Sequence, residues 1–82
     1  MNNHGYSRKL VQTNYSADAS HVGVFLGRQC IIKDIPVKSV AKDLGVTRQT
    51  VYLWFTGQVD PHPNMVTKIR AFVAKINREQ LD

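Results

Sequence analysis

VAKDLGVTRQTVYLWFTG, residues 40–57, holds two short helical patterns arranged around one glycine. Just before it, Pro36 suits the first turn of a helix, where its missing N–H costs nothing. Val37, Val40, Ala41 and Leu44 then fall at i, i+3, i+4 and i+7, with Lys38, Ser39, Lys42 and Asp43 turned outward. Gly45 is placed as a left-handed C-cap and Val46 covers the turn. Thr47 is an N-cap type and opens a second helix whose apolar side carries Val51, Trp54 and Phe55; Gly57 ends it. Two helices joined by a three- to four-residue turn built on glycine form a helix-turn-helix unit. Each position has a mechanical reason. Ala41 is small where the second helix crosses the first, Gly45 reaches positive φ, and Val46, Val51 and Trp54 fix the crossing by burial.

Working outward, Val22, Phe25, Leu26 and Cys30 make one helical stripe upstream, in a segment starting near Asp18. Asp18 or Ser20 is placed to cap it, and Asp34-Ile35-Pro36 terminates it, because a residue before proline is pushed out of the α region. Gly23 and Gly27 each weaken that helix by roughly 1 kcal/mol relative to Ala. Being four apart, they share a face and admit close approach of another element. Downstream, Gln58 to Asn64 is a turn-forming loop, too short and proline-rich for a β-hairpin wing. Met65, Val66, Ile69, Phe72, Val73 and Ile76 form a wide stripe on a helix of about 15 residues, capped by Asn64. Most of that stripe is expected to close the core over the motif. So many large apolar side chains exceed what a small core covers, so a remainder drawn from Met65, Ile69, Phe72, Val73 and Ile76 is expected to pair with a second copy. Residues 1–17 lack a clear period and read as a mobile arm whose Arg8 and Lys9 can follow a phosphate backbone; 78–82 reads as a frayed tail. The expectation is one all-α domain over 18–77, a compact bundle of four to five helices.

Composition narrows the function. With 82 residues the chain has room for one small domain. Eleven Lys and Arg against 6 Asp and Glu give a formal charge of +5, which favours polyanionic partners. The single cysteine, Cys30, excludes an internal disulfide framework, fits a reducing, cytoplasmic setting and reads as core. No apolar run approaches the roughly 18 residues of a spanning helix, and the N-terminus lacks a signal-peptide core, so no membrane association is expected. His4, His21 and His62 are dispersed without metal-ligand spacing, and neither a Gly-rich phosphate loop nor a nucleophile elbow occurs. Catalysis, a cofactor and a small-molecule substrate are therefore not expected.

The quoted stretch resembles the helix-turn-helix of the lambda-repressor-like, or Cro/repressor-type, DNA-binding domains of phages and bacteria. The likeness runs over residues 22–76 and is specific from Ile35 to Gly57. It implies a bundle of four or five helices whose second motif helix inserts its N-terminal half into the DNA major groove. Carried onto this chain, the groove-facing positions are Thr47, Arg48, Gln49, Thr50, Tyr52 and Leu53. The chain departs from the family at Val37, commonly polar there, and at Pro36, commonly a Ser or Thr cap. Side-chain chemistry agrees with the mapping. Arginine reads guanine and glutamine reads adenine, each bidentate pair discriminating by roughly 1–3 kcal/mol, which assigns base contact to Arg48 and Gln49. Thr50 and Leu53 complete the base-contact set, Leu53 against a thymine methyl. Thr47 and Tyr52, with Lys38, Ser39 and Lys42 on the preceding helix, are the expected backbone contacts. The expected protein is a transcriptional regulator, most simply a repressor, acting as a homodimer on a pseudo-palindromic site in double-stranded DNA. Two alternatives are a DNA-recognition subunit for phage DNA packaging or recombination, and a protein-interaction module on the same scaffold.

Overall fold

Val37 to Phe55 forms two eight-residue helices and a three-residue turn, and the rest of the chain packs around them. The computed structural model describes residues 6–80. Among them the chain forms five helices and no strand: α1 (Arg8–Ser16), α2 (Val22–Ile32), α3 (Val37–Leu44), α4 (Arg48–Phe55) and α5 (Pro63–Gln80). The protein is a small all-α bundle. None of these helices is long and apolar enough to cross a membrane.

The α3–α4 unit follows its expected register. Val37, Val40, Ala41 and Leu44 are all buried. Gly45 sits at φ 70° and ψ 34°, the left-handed region that costs an L-residue with a Cβ roughly 1–2 kcal/mol. From there the Val46 N–H reaches back to the Ala41 carbonyl at 3.0 Å, satisfying an otherwise orphaned acceptor at the helix end. Thr47 starts α4, its hydroxyl accepting from the Thr50 N–H at 3.2 Å. Val51, Trp54 and Phe55 are buried, as their spacing requires.

The face that α2 buries differs from the expected stripe. Leu26 and Cys30 are inside, but so are Val24 and Ile31, while Phe25 is 40% exposed. The glycines explain the rotation. A Cβ on Gly23 would stand 2.8 Å from the Trp54 carbonyl, and one on Gly27 would stand 2.7 Å from both Asn14 Nδ2 and Phe55 Cγ. Helix α4 therefore lies directly on the glycine face. Phe25, two residues from each glycine, points roughly 160° away around the helix. Neither expected cap starts α2: His21 occupies the N-cap without a side-chain bond, and Asp18 Oδ1 instead accepts from the Ser20 N–H in the turn before it. At the other end Asp34 takes φ 59°, letting Asp34 N–H bond the Ile31 carbonyl and Ile35 N–H the Cys30 carbonyl. Those paired bonds end the helix in the Schellman manner, with aspartate in the usual glycine position.

Residues 6–17 correct the expectation of a mobile arm; residues 1–5 of that arm lie outside the described residues. Ser7 caps α1 by accepting from the Leu10 N–H at 3.1 Å. Tyr6 and Asn14 are buried, and Leu10 and Val11 are half-buried against the core. The segment lacked an apolar period because its deepest side chain is an asparagine. Asn14 Nδ2 donates to the Val24 carbonyl (3.2 Å) and to the Phe55 carbonyl (2.7 Å), tying α1 to α2 and α4 together.

Helix α5 closes the core, as expected of most of its stripe, and corrects the expectation that a remainder pairs with a second copy. Ile69, Phe72, Val73 and Ile76 are buried in this chain's own core, and Met65 is half-buried against it. The stripe closes over α2 and α3 and is not a free surface for a second copy. The core is large enough to take the stripe because the segment before and within α1 adds Tyr6 and the flanks of Leu10 and Val11. Pro63 begins α5, with His62 Nδ1 accepting from the Asn64 N–H, so His62 and not Asn64 supplies the capping side chain. The helix also continues through Arg78–Gln80, where a frayed tail was expected; residues 81–82 lie outside the described residues.

Candidate functional site

Helix α4 turns two faces to different surroundings. Val51, Trp54 and Phe55 bind it to the bundle, and the opposite side of its first turns carries Thr47, Arg48, Gln49, Thr50, Tyr52 and Leu53. Thr47, Arg48 and Gln49 are exposed, Thr50 and Leu53 are half-buried, and Tyr52 is 39% exposed. Four residues of one helical turn thus leave an arginine and a glutamine free at its leading end. The two threonine hydroxyls at that end lie 3.0 Å apart and bond one another. Thr47 is thereby fixed as the cap, and Thr50 has part of its hydrogen-bonding capacity satisfied inside the protein.

The α3 positions separate. Lys38 and Lys42 are exposed one turn apart, and Ser39 is half-buried. Lys42 lines a groove of about 600 Å³ between the α3 end and α5, together with Asp43, Lys68, Phe72 and Lys75. Lys75 Nζ stands 4.0 Å from Asp43 Oδ2, an exposed pair of small energetic weight. The basic edge that begins on α3 therefore extends onto α5. The packing of α5 on α3 is what brings Lys68 and Lys75 beside Lys42.

A second groove of about 600 Å³ lies on the other flank of α4, where α1 comes alongside. Its walls are Ser7, Lys9, Leu10 and Thr13 on one side and Tyr52, Thr56 and Gln58 on the other. No sequence signal announced it, since it exists only because α1 docks. Contacts of Tyr6 and Arg28 hold α1 there, beside the Asn14 bonds already described. Tyr6 stacks on Phe55 with ring centroids 6.2 Å apart, and its hydroxyl donates to the Ile35 carbonyl. Arg28 reaches from α2 to donate to the carbonyls of Asn14 (2.8 Å) and Ala17 (3.2 Å), closing the C-terminal end of α1. Its guanidinium also lies 5.2 Å from the Tyr15 ring centroid, in cation–π range. Asn14 Oδ1 and Arg28 Nε remain buried without a partner among the described residues.

Burial pushes the Cys30 thiol up to about 12, so it is held protonated and poorly nucleophilic in the fold. Tyr6 is raised by burial, reinforced by the neighbouring Cys30. Asp18 is lowered by its hydrogen bonds from Ser20, a turn interaction at the surface. Among the described residues no three His, Cys, Asp or Glu side chains come together in a way that holds a metal ion. Comparison with protein-family models, with curated proteins and with solved structures finds no match to this chain. What it can do is read from its own side chains.

Proposed function

We propose that this protein is a sequence-specific double-stranded DNA-binding regulator of the helix-turn-helix type, with α3 and α4 as the motif and α4 as the recognition helix. One observation carries the reading: Arg48 and Gln49 stand exposed on the first turn of a helix whose other face is anchored in the core. A rigid rod presenting these two side chains has the form that a major groove admits, and the pair has the bidentate geometry that distinguishes guanine and adenine. Leu53, half-buried one turn further, offers an apolar contact suited to a thymine methyl. Tyr52, with Lys38, Ser39 and Lys42, supplies donors for the flanking phosphates, and the formal charge of +5 supplies the long-range attraction.

Repression follows by occlusion if two copies sit on half-sites about 34 Å apart on one face of the duplex. The buried side of α5 is not the surface through which such copies would meet. Selecting binding sequences from a random duplex pool tests specificity and site symmetry together. Arg48→Ala should cost roughly 1–3 kcal/mol on the selected sequence and relax the preference at one base pair, whereas Lys42→Ala should weaken all sequences alike. Equal losses for Arg48→Ala on selected and random duplex would remove the base-reading role.

A further inference from the structure

The groove between α1 and α4 has the chemistry of an oxyanion seat. Its lining includes a lysine, four hydroxyls and one amide, and no carboxylate. Two of those hydroxyls are committed within the protein: Thr13 Oγ1 donates to the Lys9 carbonyl at 2.9 Å, and Thr56 Oγ1 donates to the Tyr52 carbonyl at 2.9 Å. Gln58 Nε2 donates to Thr56 Oγ1 at 3.0 Å, which fixes that wall. The other donors are open. Ser7 Oγ accepts from the Leu10 N–H and so keeps its own hydrogen for an outside acceptor. The Lys9 ammonium and the Tyr52 hydroxyl make no hydrogen bond among the described residues.

Position says which oxyanion. Tyr52 belongs to both surfaces: it walls the groove, and it lies three residues after Gln49 on the outward side of α4. A duplex entered by the first turn of α4 therefore runs one of its strands past Tyr52 toward α1. We infer that this groove receives a phosphodiester of the strand bordering the major groove, with Lys9 as its charge partner and the Ser7 and Tyr52 hydroxyls donating to its oxygens. The inference rests on the DNA-binding reading above and adds a second backbone grip to it, supplied by an element outside the helix pair. Lys9 thus acts from a fixed helix and not from a trailing arm.

The test is equilibrium binding of the full chain across a salt series, to a duplex selected from a random pool and to a mixed-sequence duplex of about two helical turns. Wild type, Lys9→Ala, Lys9→Glu and Arg48→Ala are compared. Lys9 is exposed, so its variants should melt like the wild type, and that is measured alongside. Lys9→Ala should weaken both duplexes by the same factor, roughly 3- to 10-fold near 0.1 M salt, and flatten the salt slope by about one phosphate contact. Lys9→Glu should do more, and ethylation of one flanking phosphate should impair the wild type but not Lys9→Ala. Wild-type affinity and slope in both Lys9 variants would overturn the groove assignment while leaving the role of α4 standing. A loss confined to the selected duplex would overturn it as well, since that is base reading. No duplex binding by the wild type would overturn both.

Discussion

Asn14 is the side chain on which three helices converge. Its amide reaches the Phe55 carbonyl in the last turn of α4, an acceptor that the helix itself leaves open, and the Val24 carbonyl on α2. Asn14→Ala should cost about 1–3 kcal/mol, because a buried carbonyl loses its donor. Asn14→Asp should cost more, since a carboxylate offers no N–H and faces two carbonyl oxygens. Denaturant unfolding of the two variants checks the order, and an aspartate variant as stable as the wild type would contradict the hydrogen-bond assignment. Cys30 makes a second residue-scale prediction. Its thiol ordinarily titrates at 9.0, and burial moves this to about 12. Above about 9 the unfolded chain releases a proton that the folded chain retains, so stability is full below that pH and declines as pH rises toward about 12. Burial of Tyr6 acts in the same direction. Melting temperatures in steps from about pH 8 to about pH 11 should fall, and Cys30→Val should flatten part of the decline. A curve unchanged by that substitution would place the alkaline sensitivity elsewhere.

At the scale of the element, α1 is the part whose character changed most between sequence and structure. Its residues average polar, yet Tyr6, just before its cap, and Asn14, near its end, are both buried. Tyr6 fills space against Phe55 and ties the chain to the α2–α3 junction through the Ile35 carbonyl. Tyr6→Ala should therefore cost about 3–5 kcal/mol, a large part of the total for a domain of this size. Tyr6→Phe keeps the ring and should cost about 1 kcal/mol. Urea unfolding measures both. An alanine variant within about 1 kcal/mol of wild type would mean that α1 is an appendage and not part of the cooperative unit.

For the whole molecule, the question is where the apolar surface of α5 goes. Ile69 is fully buried, and Phe72, Val73 and Ile76 are nearly so, each side chain contributing roughly 1.5–3 kcal/mol by leaving water. Ile69→Asp should unfold the chain, seen as loss of helical circular dichroism together with loss of duplex binding. A folded, monomeric Ile69→Asp protein would instead show that this face belongs to an interface between copies. Among the described residues, the large apolar side chains most exposed at the surface are Phe25 and Ile32 on α2, with Tyr15, Tyr52 and Val59 elsewhere. Only Tyr52 among them lies on the side of α4 that carries Arg48 and Gln49.

The helix pair from Val37 to Phe55 was legible residue by residue, because its information is local. A 3.6-residue period, a glycine at positive φ and a threonine cap all act within one or two turns of chain. The exposure of Arg48 and Gln49 follows from the same period, since burying Val51, Trp54 and Phe55 leaves their opposite side out. Tertiary packing alone settled the helical state and docking of α1, the rotated face of α2, the burial of the α5 stripe, and both grooves. Those features depend on contacts between residues far apart in sequence, such as Asn14 with Phe55 at a separation of 41. Periodicity carries no record of a polar side chain whose partners are carbonyls on other helices. Nor does it distinguish an apolar stripe that closes its own core from one that waits for a second copy.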